Sequence, residues 1–406
     1  MVRSRLQWVS CALVPFALAS LVSDRTAYGQ VPPAWEATPY FQYNIEAVDF
    51  DRTTRVTRVF FSVTNPWAND LPWDIKSDTP FTQLAPSAVS RLALDFGWNT
   101  REYTNTGSGS RSGPAYPISV DVLKNSTELF PDSGLYVASA TLPPQAVGSG
   151  VVAIEGHPAW PVNLGGVQVN APVPVKSVYR YFPITDSVAV PRRESVDIHK
   201  CMTCHDGADI PRLSLHGANR TEELRVCVIC HNPNQTDIPF RTSGAEESID
   251  FKRMIHGIHA AKKRTNPLII IGRGGSVNDY SGVQFPAELK NCLNCHIEQP
   301  GLGTYQIPLA PSVLGSTINT RSTFGGALDV DPTNDLKITP VASVCSSCHD
   351  SSKAISHMKD KGRAVFGVLQ SQIDSGAVRE RCVDCHGPGK DKDVRRAHSI
   401  DVYGED

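Results

Sequence analysis

Five copies of one pattern, Cys-X-X-Cys-His, occupy the second half of this 406-residue chain. They are Cys201, Cys204 and His205; Cys227, Cys230 and His231; Cys292, Cys295 and His296; Cys345, Cys348 and His349; and Cys382, Cys385 and His386. Two thiols at this spacing, followed at once by an imidazole, form the attachment signature of a c-type haem. The thiols become thioethers and the histidine becomes the proximal iron ligand. Zinc sites, redox disulfides and structural disulfides also use Cys-X-X-Cys, but none of them requires the fifth residue to be histidine. Histidine is only 12 of 406 residues, so five such placements argue for haem, with zinc the main alternative. The chain is therefore expected to carry five covalent haems.

The remaining cysteine, Cys11, lies near the N-terminus. No cysteine after it is left for a disulfide or a nucleophile, which suits an exported protein in an oxidising compartment. Arg3 and Arg5, the apolar stretch from Trp8 to Val22, and Ala27-Tyr28-Gly29 read as a secretory signal over 1–29, with Ala17-Leu18-Ala19 an earlier cleavage candidate. At about 15 residues, and interrupted by Pro15, the stretch is too short for a membrane span. The short run before Cys11, with Trp8 three places upstream, is a poor context for a lipid anchor. No later apolar run reaches membrane length. The mature chain is expected to be soluble, in the periplasm or at the cell surface. The formal net charge is −2, and haem propionates would make the holoprotein more acidic. Nothing suggests nucleic-acid binding.

Composition breaks near residue 190. All six tryptophans precede it and all five motifs follow it. Porphyrins in the second half would replace the large core side chains found in the first. Residues 30–190 read as an all-β Greek-key barrel or sandwich domain. Strands are expected at Phe41 to Phe50, Arg55 to Thr64, Ile118 to Leu123, Gly134 to Thr141, Gly150 to Glu155, Gly166 to Val169 and Lys176 to Phe182. No catalytic constellation is visible there, and the domain is expected to fold alone. Residues 191–406 read as a pentahaem domain of loops and short helices. One helix is expected from Glu246 to Lys262, with Ser243 and Glu246 as a capping box, and another from Cys345 to Lys361.

Spare ligands decide between a carrier and a catalyst. A haem with two histidines is a low-spin electron carrier, whereas an open position admits a substrate. Seven histidines lie outside the motifs: His157, His199, His216, His256, His259, His357 and His398. His157 belongs to the β-half and reads as a surface-loop residue. His199, two places before Cys201, reads as a bystander. Five candidates remain for five haems: His216, His256, His259, His357 and His398. His256 and His259 are three apart on the expected helix and lie on nearly one face. They cannot share an iron whose other side is taken, so they should serve two different haems held close together. Methionine would raise the potential, but Met202, Met254 and Met358 each lie near a better histidine.

Several runs resemble the OmcA/MtrC family, multihaem c-type cytochromes of the bacterial outer surface that pass electrons to minerals or other acceptors. They are Leu213 to Arg220, Cys227 to Pro233 and Asp250 to His259, with Cys348 to Asp350, His357-Met358, Cys385 to Pro388 and His398. Upstream, Leu94 to Trp98 and Tyr103 to Asn105 are similar to the family too. The resemblance implies split Greek-key barrels alternating with pentahaem domains, bis-histidine ligation, and His216, His256, His259, His357 and His398 as distal ligands. Family members commonly carry two such modules, a lipid anchor and sometimes a disulfide, and none of these is evident here. The leading expectation is an electron-transfer protein relaying electrons between a cellular donor and other redox proteins or extracellular acceptors. The alternatives are a multihaem reductase of nitrite or a sulfur oxyanion, and a subunit of a cytochrome filament.

Overall fold

A computed structural model describes residues 33–83, 90–107, 115–206, 213–297 and 334–398, together with the backbone of the short strands at 319–320, 323–324 and 327–328. The expected signal segment and Cys11 lie outside the described residues. Among the described residues the first half contains eleven strands: β1 (Gln42–Phe50), β2 (Val56–Asn65), β3 (Leu71–Pro72), β4 (Arg91–Trp98), β5 (Ile118–Asp121), β6 (Thr127–Glu128), β7 (Leu135–Thr141), β8 (Ser149–His157), β9 (Ala159–Leu164), β10 (Val167–Pro172) and β11 (Val178–Pro183). They form one sheet in the order β1-β2-β7-β6, with β3 added to β2, and a second in the order β11-β8-β4-β5. β9 and β10 make a separate hairpin. β1 runs beside β11 and β5 beside β7, so the sheets approach each other on both sides of the core. Arg180 reinforces the first junction by donating to the carbonyls of Ile45 and Glu46 at 2.9 and 2.6 Å.

Period-two alternation explains the core between the sheets. Val59, Phe61, Val63 and Tyr136 meet Leu92, Leu94, Phe96, Trp98, Val152 and Ile154 there. Each buried aliphatic or aromatic side chain contributes roughly 1.5–3 kcal/mol. The alternate residues of the second sheet do not face solvent. Val151 and Ala153, with Tyr103, pack against Val226, Val228 and Ile229 of the helix Leu224–Cys230, and Tyr179 and Tyr181 flank this contact. β4 is therefore buried on both faces, which removes the alternation that marks the other strands. β4 accordingly falls outside the strands expected from sequence, and so do β9 and the two-residue strands β3 and β6. β9 carries Pro161 and is largely exposed.

Among the described residues the second half is built largely from short helices, the longest being Phe251–Ala260. It starts later than expected. Asp250 caps it by accepting from the Lys252 amide at 3.3 Å, while Glu246 is held instead by the Thr236 hydroxyl at 2.5 Å. Ser248 pairs with Thr236 in an extended bridge, so the preceding residues cannot continue the helix. The helix expected from Cys345 to Lys361 is two helices, Pro340–Cys345 and Ser352–Asp360. Between them Asp350 accepts from the amides of Thr265 and Asn266, both at 2.8 Å, and pairs with Arg264 at 3.7 Å. Among the described residues no helix is long and apolar enough to cross a membrane.

Candidate haem centres

Each motif folds as a tight helical turn. The amides of His205, His231, His296 and His349 donate to the carbonyl of the first cysteine of their own motif at 2.8–3.0 Å. The fifth motif is itself the helix Cys382–His386. Residues three and four apart share a helix face, so one turn presents both thiols and the imidazole to the same side.

None of the cysteines expected to carry thioethers is paired in a disulfide: Cys201 and Cys204, Cys227 and Cys230, Cys292 and Cys295, Cys345 and Cys348, and Cys382 and Cys385. Cys204 differs from Cys230 and Cys385, which lie on helices. The helix Ile198–Met202 ends before Cys204, which sits in the turn that follows. The turn is held by the Cys204 amide, which donates to the Cys201 carbonyl at 3.1 Å. Its half-buried thiol stays on the side of the motif that faces Cys295, whose pKa is raised by burial and then by Cys204.

Each motif histidine faces one histidine from outside the motifs. The ring centroids are 6.1 Å apart for His205 and His259, 6.0 Å for His231 and His216, and 6.1 Å for His296 and His256. They are 6.1 Å apart for His349 and His398 and for His386 and His357. No histidine is used twice. His256 and His259, on one helix, face the third and first motifs respectively. His157 does not lie on a surface loop as expected: it ends β8, is buried, and its Nδ1 lies 3.2 Å from the Pro158 carbonyl. His199 is exposed and lies 3.1 Å from the Asp197 carboxylate.

The ring nitrogens are prepared for a metal. Nδ1 of His231, His256, His259, His296, His386 and His398 each lies 2.5–3.0 Å from a backbone carbonyl. A carbonyl only accepts, so Nδ1 carries the proton and Nε2 keeps a free lone pair. Burial favours this neutral form. It lowers the His216 pKa to about 3, with help from Arg220 and His231, and that of His296 to about 4. These backbone partners could not be read from the sequence, because carbonyls carry no residue code.

The donor set fits haem. A metal–nitrogen bond of about 2 Å on each side puts two ring centroids about 6 Å apart. Among the described residues no three His, Cys, Asp or Glu side chains converge as a metal cluster. Two facing imidazoles therefore need their remaining donors from a planar macrocycle, whereas structural zinc needs four protein ligands. Cys292, Cys295, His296, His256, His259 and Phe285 line a cavity of about 490 Å³. Arg192, Arg193, Arg225 and Lys252 line it together with Glu194, Asp197 and Glu223, and Arg225 pairs with Glu223 and Glu194 there.

Neighbouring motifs touch electrostatically in a fixed order. Burial and then Cys295 raise the Cys201 thiol to about 11. Burial dominates at Cys227, Cys292 and Cys345 too, with smaller contributions from Cys201 at Cys227, from Cys348 at Cys292 and from Cys382 at Cys345. These contacts link the second motif to the first, the first to the third, the third to the fourth and the fourth to the fifth.

Residues 193–399, half of the chain, match the family described as outer membrane cytochrome MtrC/MtrF-like, domains II/IV. Among solved structures the chain is similar to MtrC from Shewanella baltica OS185, with a TM-score of 0.54 and 16% identity over 87% of this chain and 52% of that one. At this identity the likeness is one of fold, and the chain spans about half the length of that protein. No curated protein sequence matches. By the family match, this chain belongs to the OmcA/MtrC family of multihaem cytochromes.

Proposed function

We propose that this chain is a pentahaem electron-transfer protein, and the observation that carries the proposal is the set of five facing histidine pairs, one for each motif. Each pair of motif cysteines, from Cys201 with Cys204 to Cys382 with Cys385, would hold one haem through thioethers. His205, His231, His296, His349 and His386 would be proximal ligands, opposed by His259, His216, His256, His398 and His357 respectively. Bound haem supplies one-electron chemistry between ferric and ferrous iron. The chain's own residues do the rest. The two facing imidazoles of each pair would hold a haem from both sides and would leave no position for nitrite or a sulfur oxyanion, which favours a relay over a reductase. Every pair lies within one chain, so no histidine is needed from a neighbour, as a filament would require. Burial and hydrogen-bonded Nδ1 atoms keep the rings neutral and oriented.

We further read residues 30–190 as a Greek-key barrel or sandwich domain and 191–406 as the pentahaem domain. The chain would be exported after removal of 1–29 and would meet redox partners or extracellular acceptors in the periplasm or at the cell surface.

Mass spectrometry of the mature protein should find five covalent haems, and its electron paramagnetic resonance spectrum should be wholly low-spin. His256→Ala and His259→Ala should each create one high-spin haem that binds carbon monoxide when reduced. The two variants should affect different haems, because the two rings face different motifs. A full equivalent of high-spin haem in the wild type would refute the relay.

A further inference from the structure

The second pair, His216 and His231, is fastened to the second sheet on both of its sides. His231 follows the helix Leu224–Cys230, whose outer face packs on β4, β8 and β11. Asn105 locks that contact. Its Nδ2 donates to the carbonyls of Ile229 at 2.9 Å and Ala115 at 3.1 Å, and its Oδ1 accepts from the Trp98 amide at 3.0 Å. Asn232, the residue after His231, donates to the same Ala115 carbonyl at 2.8 Å, and Asn234 donates to the Thr104 carbonyl at 2.9 Å. Gly97 allows the close approach, since a Cβ there would lie 3.2 Å from the Ile229 side chain.

His216 arrives on a different segment, the hairpin formed by Ser214–Leu215 and Arg220–Thr221. His216, Gly217 and Ala218 all have positive φ, at 56°, 74° and 67°. For His and Ala this conformation is strained and persists only when the surroundings hold it. The sheet does so. The Gly156 amide donates to the Asn219 carbonyl at 2.8 Å, and the Ser177 amide donates to the Thr221 carbonyl at 3.0 Å. Arg220 adds a buried ionic anchor. It pairs closely with Glu155, and with Asp95 at 3.8 Å, while Arg91 holds Glu155 from the other side at 2.9 Å.

We propose that the β-half is an integral wall of the second histidine pair, with Asn105 and Glu155 as positioning residues for His231 and His216. The proposal rests on the ligation read above. Asn105 acts through the Ile229 carbonyl two residues before His231, and Glu155 acts through Arg220 four residues after His216. Neither touches an imidazole. Their effect should fall on one site of the five, which a scaffold that only stabilises the chain would not produce.

The test uses the full holoprotein. Asn105→Asp keeps the acceptor and removes both donors at constant shape, and Glu155→Gln keeps the shape and removes the charge. Haem stoichiometry and the low-spin signals are recorded first for the wild type, where fewer than five low-spin haems would defeat the ligation reading itself. If five are present, each variant should retain five covalent haems and shift one low-spin signal of the five. The shifted signal should be the one lost in His216→Ala. Gly97→Ala, which crowds Ile229, Asn105 Oδ1 and Val151 without deleting a donor or acceptor, should shift the same signal by less. A lowered Tm with all five signals unchanged would overturn the proposal, and so would equal changes in all five.

Discussion

His157 and Glu155 lie two residues apart on β8 and carry opposite pH dependences. Burial lowers the His157 pKa from 6.5 to about 4. The unfolded chain takes up this proton near 6.5 and the folded chain only near 4, so the stability it gives above 6.5 is lost as pH falls through that window. The difference amounts to about 3 kcal/mol. Burial, and next Asp95, raise Glu155 from 4.5 to about 7 despite Arg220 and Arg91. Its contribution is complete below 4.5 and is lost as pH rises through about 7. In the wild type the two slopes offset each other. His157→Gln should therefore give a Tm that falls, relative to wild type, as pH rises from about 4 to 6.5. Glu155→Gln should give a Tm that falls relative to wild type as pH drops from about 7 to 4.5. Three parallel curves would refute this assignment. The motif residues were legible in the sequence because their chemistry is local and repeated. The burial of His157 was not, because Gly156-His157-Pro158 resembles a turn until β4 and β8 are seen to pair.

One helix, Phe251–Ala260, carries histidines facing two different motifs, and Gly257 lets it pack. A Cβ at that position would lie 3.1 Å from a Leu268 methyl and 3.5 Å from Arg264 Nη1. Gly257→Val should push the whole helix outward and cost about 1–3 kcal/mol. Both signals assigned by His256→Ala and His259→Ala should shift together, whereas an Asn105 variant shifts a third. Finding only one of the two altered would show that the helix does not move as a unit. The helix itself was readable from its apolar flanks, Phe251, Met254, Ile255 and Ile258. Its start was not, because Glu246 and Ser248 are spent on Thr236, a partner ten or more residues earlier. β4 was missed for a related reason. A strand buried on both faces shows no alternation.

At the scale of the molecule, the composition break near residue 190 suggested two separable halves. The packing argues otherwise. A fragment covering 30–190 would expose Val151, Ala153 and Tyr103 and leave Asp95 and Glu155 without Arg220. It should keep its sheet signal by circular dichroism, yet self-associate on a sizing column and bind an apolar dye. A monodisperse fragment that ignores the dye would contradict this. The family resemblance was visible from spaced motifs, including Leu94 to Trp98 and Tyr103 to Asn105. Their purpose emerges only in three dimensions, where Gly97 and Asn105 meet Ile229. The double-sided burial of β4 also bears on how such a chain can change over generations. Its even-numbered residues answer to the core between the two sheets and its odd-numbered residues to the cytochrome half, so it is a party wall that neither tenant can rebuild alone. A chimera that exchanges the β-half must carry over the helix Leu224–Cys230 and the hairpin bearing His216 as part of the same inheritance.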